Sequence, residues 1–152
     1  MARRRPLASV TLQSIVRFET RSRQETEAAG ATLAARLEPG DIVLVGGELG
    51  SGKTTFVRGA CRALGVDDVV TSPTFVIGQI YSGPVEVAHI DLYRLGPGAL
   101  ADSDECIVAD YLTAARIAFV EWPSADSERF GRVKTRVRLE HLGGDRRSVE
   151  IT

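Results

Sequence analysis

The chain has 152 residues, of which 43% are hydrophobic and 26% charged, and its formal net charge is −1. That length can bury a core of its own, and the composition is ordinary for a globular protein. A near-zero net charge gives no bulk electrostatic case for a nucleic-acid or membrane surface, and no apolar run reaches the roughly 18 residues a membrane span needs.

Lysine occurs only at positions 53 and 134, and every other basic residue is arginine, so each lysine stands out. Cys61 and Cys106 are too few and too far apart for a disulfide framework or a zinc site. They read as reduced, half-buried thiols of a cytoplasmic protein. The opening MARRRPLAS has an arginine cluster with no apolar stretch behind it, so a secretory leader is not expected. Residues 1–13 are expected to be a flexible tail, and residues 14–152 a single domain.

In chain order, SIVRFE (14–19) alternates enough to predict a first strand. Ser22 and Glu25 have the S-x-x-E spacing of a capping box, and the Ala- and Leu-rich stretch after them predicts a helix to Leu37, closed by Pro39-Gly40. DIVLVGG (41–47) is a continuous apolar strand of the kind buried on both faces. A glycine-rich turn follows, then a helix from Thr54 to about Leu64 with Gly65 as its C-cap. FVIGQIYS and VEVAHIDLY meet at Gly83-Pro84 and predict a hairpin. Residues 96–105 read as irregular and 105–114 as a short helix. RIAFVEW predicts another strand, stopped by Pro123, which has no N–H to give a sheet. The closing segments RVKTRVRLEHL and RRSVEIT alternate around GGD and predict a terminal hairpin. The expected fold is α/β: a three-layer domain with a mixed central sheet and a C-terminal β-hairpin.

The glycine-rich turn carries the strongest chemical signal. GGELGSGKTT contains G-x-x-x-x-G-K-T, with Gly47, Gly52, Lys53 and Thr54 in register. A loop that wraps a polyphosphate with its own N–H groups needs glycine where a side chain would block approach. The cradle is expected to comprise Gly47, Glu48, Leu49, Gly50, Ser51, Gly52, Lys53, Thr54 and Thr55. The helix that follows points its orphan N–H groups and positive dipole end at the phosphates. Lys53 supplies a compact charge to the β- and γ-phosphates, and Thr54 a hydroxyl to Mg²⁺.

Such a cradle needs a carboxylate at the end of a neighbouring strand to complete the metal and water environment. Asp91 in AHIDLYR and Glu121 in FVEWP both follow apolar runs and so fall at strand ends, where the ligand crevice of an open α/β sheet lies. The competing structural readings are a local bridge from Asp91 to Arg94 or His89, and a solvated strand end at Glu121. TSPTF (71–75) lies where a loop sensing the γ-phosphate is expected, and Thr74 is its candidate contact to the metal or phosphate.

GGELGSGKTTF, SPTF, HIDLYR and VEWP, in that order over about 80 residues, resemble the TsaE family, and the likeness extends over essentially the whole chain. The resemblance implies an ATPase required for threonylcarbamoyladenosine at position 37 of tRNAs that read codons beginning with A. It implies an accessory motor that binds Mg²⁺ and ATP and acts on a complex of TsaB and TsaD, of which TsaD performs the transfer. Contact with tRNA would then be indirect, with no role for DNA or a membrane. By position, Lys53, Thr54 and Thr55 match the family's P-loop lysine and hydroxyls, and Thr74 its SPT threonine. Asp91 matches the acid of H-x-D-x-Y-R, Glu121 that of E-W-P, and Trp122 the aromatic beside the nucleotide. The resemblance thus assigns catalysis to Glu121, Asp91 and Lys53, and metal binding to Thr54, Asp91 and Glu121. One segment departs from the pattern. In GPGALADSDECIVADYL the family's Leu-Gly step is missing, although Asp110-Tyr111-Leu112 is kept.

Three other functions fit a phosphate cradle. A small-molecule kinase would need an acceptor pocket and a lid, for which only the 94–105 segment could serve. A regulatory GTPase would need an N-K-x-D stretch, which neither lysine provides. A nucleotide-sensing module would bind without turnover.

Overall fold

The computed structural model of the chain describes residues 14–73 and 76–152. The expected N-terminal tail, residues 1–13, and the threonine of SPT, Thr74, lie outside the described residues.

The first strand, β1 (Val16–Thr20), is followed by α1 (Arg23–Ala34). Ser22 caps that helix by accepting the N–H of Glu25 at 3.1 Å, while the Glu25 carboxylate reaches past it to the N–H of Arg21. The helix stops at Ala34, three residues short of the predicted Leu37. Tight turns from Arg36 to the Leu33 carbonyl and from Leu37 to the Ala34 carbonyl close it. Buried Asp41 then folds the loop back, accepting the N–H of Glu38 and pairing with Arg132 at 2.8 Å.

β2 (Ile42–Gly46) leads through the glycine loop into α2 (Lys53–Ala63), and Gly65, at φ +87°, ends that helix as predicted. β3 (Gly78–Tyr81) and β4 (Glu86–Asp91) form the expected hairpin. The stretch read as irregular is partly helical, since α3 spans Asp102–Tyr111. Asp102, Asp104 and Glu105 fill its first turn, where carboxylates meet the positive end of the helix dipole. β5 (Arg116–Glu121), β6 (Val133–Gly143) and β7 (Arg146–Ile151) complete the chain.

The seven strands form one mixed sheet in the order β1-β7-β6-β2-β5-β4-β3. The central β6, β2, β5 and β4 run parallel, and hairpins turn the sheet antiparallel on either side. Val43, Val45 and Phe119 pack under Phe56, Val57 and Ala60 of α2 and Leu33 of α1. On the other face, Leu44, Ala118 and Ile90 pack against Val108 of α3. These two apolar layers explain why Ile42–Val45 and Ile117–Val120 read as unbroken apolar runs. They also make the molecule three-layered.

Helices α1 and α2 touch backbone to backbone. A Cβ on Gly59 would fall 1.9 Å from the Glu27 carbonyl oxygen, and one on Gly30 would fall 2.0 Å from that of Phe56. This close approach seats the start of α2 firmly above β2. The two cysteines differ from the half-buried expectation in opposite directions. Cys61 is buried in this layer, where burial pushes its thiol up to about 12, and Cys106 is exposed on α3.

Candidate functional site

The loop between β2 and α2 is shaped by its glycines. Gly47 has φ +145°, and a Cβ there would lie 2.4 Å from the Leu139 carbonyl oxygen and 2.6 Å from Ser51 Oγ. Gly52 sits at the N-cap of α2 with φ +98° and no side-chain cap. In contrast to α1, the first N–H groups of α2 are therefore left without a capping side chain, the condition under which a helix start receives an anion.

Lys53 is only 6% exposed. Its Nζ donates to the carbonyl oxygens of Gly47 (2.8 Å) and Glu48 (2.7 Å) and to Ser51 Oγ (3.3 Å). The Trp122 ring covers the same ammonium, with its centroid 4.1 Å away. Burial pulls the Lys53 pKa below that of an ordinary lysine, and the carboxylates of Glu121, Asp91 and Glu48 oppose that shift. The ammonium is thus folded onto its own loop, at the centre of an acidic surround.

Strand register brings the acids together. Val45, Glu121 and Asp91 lie in one row across β2, β5 and β4, at the carboxyl ends of the three strands. Glu121 is 1% exposed, which removes the reading of a solvated strand end. Its Oε1 accepts the Thr54 hydroxyl at 2.9 Å, and its Oε2 lies 3.3 Å from Nε2 of fully buried His89. That second contact has the distance of a charge contact without hydrogen-bond alignment, and His89 Nδ1 has no hydrogen-bond partner among the described residues. Asp91 accepts the Ser72 hydroxyl at 2.8 Å and the N–H of Tyr93 at 2.9 Å. His89 therefore meets Glu121, on the next strand, instead of bridging locally to Asp91.

Trp122 departs from the strand prediction. RIAFVEW was expected to run to the tryptophan and stop at Pro123, but β5 ends at Glu121. Trp122 has φ +53°, a left-handed conformation that costs a bulky side chain about 1–3 kcal/mol. Its N–H still donates to the Val45 carbonyl oxygen, and its ring packs on Tyr93 with centroids 4.8 Å apart. The strained turn is what carries the ring over Lys53.

A cavity of about 840 Å³ opens over these groups. It is lined by the loop from Leu49 to Thr55, by Ser72 and Pro73, and by Asp91, Glu121 and Trp122. Gly47 and Glu48, expected in the cradle, instead line a second cavity of about 670 Å³ that shares Tyr93 and Trp122 with the first. Glu48 also ties the loop to β6 by accepting the N–H of His141.

Ser72 had no expected role, His89 was expected only as a structural bridge to Asp91, and Arg147, which lines the larger cavity from β7, was not among the expected residues. A signal for His89 was present, because residues two apart on a strand share a face and H-x-D places His89 beside Asp91. Hydroxyl and carboxylate oxygens such as those of Thr54, Asp91 and Glu121 suit Mg²⁺, which takes one or two carboxylates with phosphate and water oxygens. Among the described residues no cluster of three or more His, Cys, Asp or Glu is arranged to hold a metal unaided. Nor is any helix among them long and apolar enough to cross a membrane.

Comparison with known proteins follows the same lines. The family described as "TsaE: Threonylcarbamoyl adenosine biosynthesis protein TsaE" matches residues 20–149. The chain is 30% identical over 138 residues to the tRNA threonylcarbamoyladenosine biosynthesis protein TsaE of Bacillus subtilis, covering 90% of this chain and 85% of that one. It is 39% identical over 120 residues to the Streptomyces coelicolor protein of the same name, covering 76% and 79%. The crystal structure of B. subtilis YdiB superposes with a TM-score of 0.68 at 27% identity, covering 91% of this chain and 84% of that one.

Proposed function

The chain belongs to the TsaE family, and from that premise we propose that it is a Mg²⁺-dependent ATPase serving threonylcarbamoyladenosine synthesis on tRNA. The observation that carries this reading is one juxtaposition. A buried lysine at an uncapped helix start stands beside a buried glutamate that is bonded to the next hydroxyl, Thr54.

In this reading the N–H groups at the start of α2 and the Lys53 ammonium hold the phosphates. Lys53 leaves its own loop carbonyls for phosphate oxygens, so bonds from the ammonium to neutral acceptors give way to bonds between opposite charges. Thr54, with Asp91 and Glu121, would hold Mg²⁺, which when bound neutralises charge on the phosphate oxygens. Glu121 orients the attacking water. Asp91 is bonded to Ser72 and to the Tyr93 N–H, and Thr74, the match to the family's SPT threonine, would contact the metal or the γ-phosphate. Phosphoryl transfer needs mostly positioning and charge neutralisation, which is what this constellation supplies.

The protein acts in the cytoplasm, as one ATPase domain over residues 14–152, on a complex of TsaB and TsaD. Turnover is slow alone and is completed by that complex. tRNA is engaged through the partners.

The test is genetic and chemical together. In a cell whose own gene for this function is deleted, threonylcarbamoyladenosine should disappear from digested tRNA, and expression of this chain should restore it. Full modification in the deleted cell, measured by mass spectrometry, would remove the proposed role.

A further inference from the structure

Sheet order gives the larger cavity a direction. Asp91 and Glu121 stand on β4 and β5, to one side of the loop strand β2, whereas Arg147 stands at the start of β7, beyond β6 on the other side. All three line the same cavity. If the γ-phosphate lies by the two acids, the nucleoside has to leave the cradle towards the β6–β7 hairpin, where Arg147 waits.

Arg147 is half-buried and makes no ion pair among the described residues. Its plane is nonetheless fixed. Nη1 donates to the carbonyl oxygens of Gly144 (2.7 Å) and Arg146 (2.9 Å), both at the hairpin turn. Its Nε lies 3.6 Å from the place a Cβ on Gly52 would take, so the guanidinium runs along the bare backbone at the start of α2. A planar cation held by carbonyls, without a carboxylate to neutralise it, is suited to stack on a π-face.

We infer that Arg147 is the nucleobase platform of this site, its guanidinium face stacking on the purine ring of the bound nucleotide. The inference rests on the reading of the cavity as an ATP site and adds the residue that recognises the base.

Titration calorimetry on the full chain tests it, with Mg²⁺–ATP, Mg²⁺–ADP and inorganic tripolyphosphate as probes. Arg147→Ala should weaken ATP and ADP alike, by roughly 5- to 30-fold, and leave tripolyphosphate unchanged. That unchanged value also shows that the cradle is still folded. Arg147→Lys should recover only part of the lost affinity, because an ammonium keeps the charge over the ring and loses the planar stack. Equal weakening of tripolyphosphate would mean a phosphate contact and overturn the stacking role. Unchanged ATP affinity in Arg147→Ala would also overturn it. Failure of the wild-type chain to bind either ATP or tripolyphosphate would instead sink the ATP-site reading, and this inference with it.

Discussion

Glu121→Gln is expected to bind Mg²⁺–ATP with near-native affinity and to release phosphate roughly a hundred- to ten-thousand-fold more slowly in the presence of TsaB and TsaD. The amide is isosteric, and its carbonyl oxygen can still accept the Thr54 hydroxyl that Oε1 now holds at 2.9 Å. It lacks the negative charge and basicity with which a carboxylate orients and polarises a water. The change leaves Asp91 and Glu48 as the carboxylates nearest the buried Lys53 ammonium, so the melting curve of the variant is measured beside the rate to separate a folding defect from a catalytic one. Single-turnover phosphate release measures the chemical step, and equilibrium titration measures binding. A normal rate in Glu121→Gln would pass the water-orienting role to Asp91, whose tie to Ser72 would then need another explanation.

Lys53→Ala should lose at least about a hundredfold in ATP affinity, because contacts of a charged group to phosphate contribute on the order of 1.5–3 kcal/mol each. The readout is built into the site. Trp122 is the only tryptophan of the chain, and its ring centroid lies 4.1 Å from the ammonium. When Lys53 moves to a phosphate, the indole loses its cation and its emission should change. In Lys53→Ala, nucleotide at concentrations that saturate the native protein should leave the emission flat.

The variant should fold, and the sign of the lysine shift says why. Burial lowers the folded-state pKa of Lys53, so the charged form is less favoured in the fold than in the unfolded chain. Wherever the lysine is charged, that shift is a cost to stability. Removing the ammonium relieves it. A variant that melts like the native chain and still binds ATP tightly would mean that the phosphates lie elsewhere.

What could be read from the sequence was local. G-x-x-x-x-G-K-T compresses a strand end, a loop and a helix start into a few residues, and the pattern is demanded by backbone approach to an anion. The buried strands β2 and β5 announced themselves as apolar runs, and Ser22 announced α1. The start of α3 was missed because Gly96-Pro97-Gly98 reads as a break, although the acids at 102, 104 and 105 are a helix-start signal. The left-handed Trp122 could not be read, since sequence patterns flag that conformation for glycine and asparagine, not for an aromatic.

The relations that assemble the site are non-local. His89 meets Glu121 only because β4 and β5 are parallel in a register that sets Asp91 beside Glu121. Arg147 reaches the cavity only because the terminal hairpin folds back beside β2 through β6. H-x-D sets His89 on the face of Asp91, but nothing in the neighbouring sequence pairs it with Glu121 or brings Arg147 to the cavity. The acids at 91 and 121 were legible one at a time, as strand ends, and it is the register that turns them into one row.

In this cavity the γ-phosphate of ATP is expected to pass to water. The most direct measurement runs the reaction in water enriched in heavy oxygen, with TsaB and TsaD present, and weighs the products. The expected products are ADP and inorganic phosphate carrying one solvent oxygen. ATP left intact under those conditions, or a phosphoryl group found on a small-molecule acceptor, would contradict that expectation.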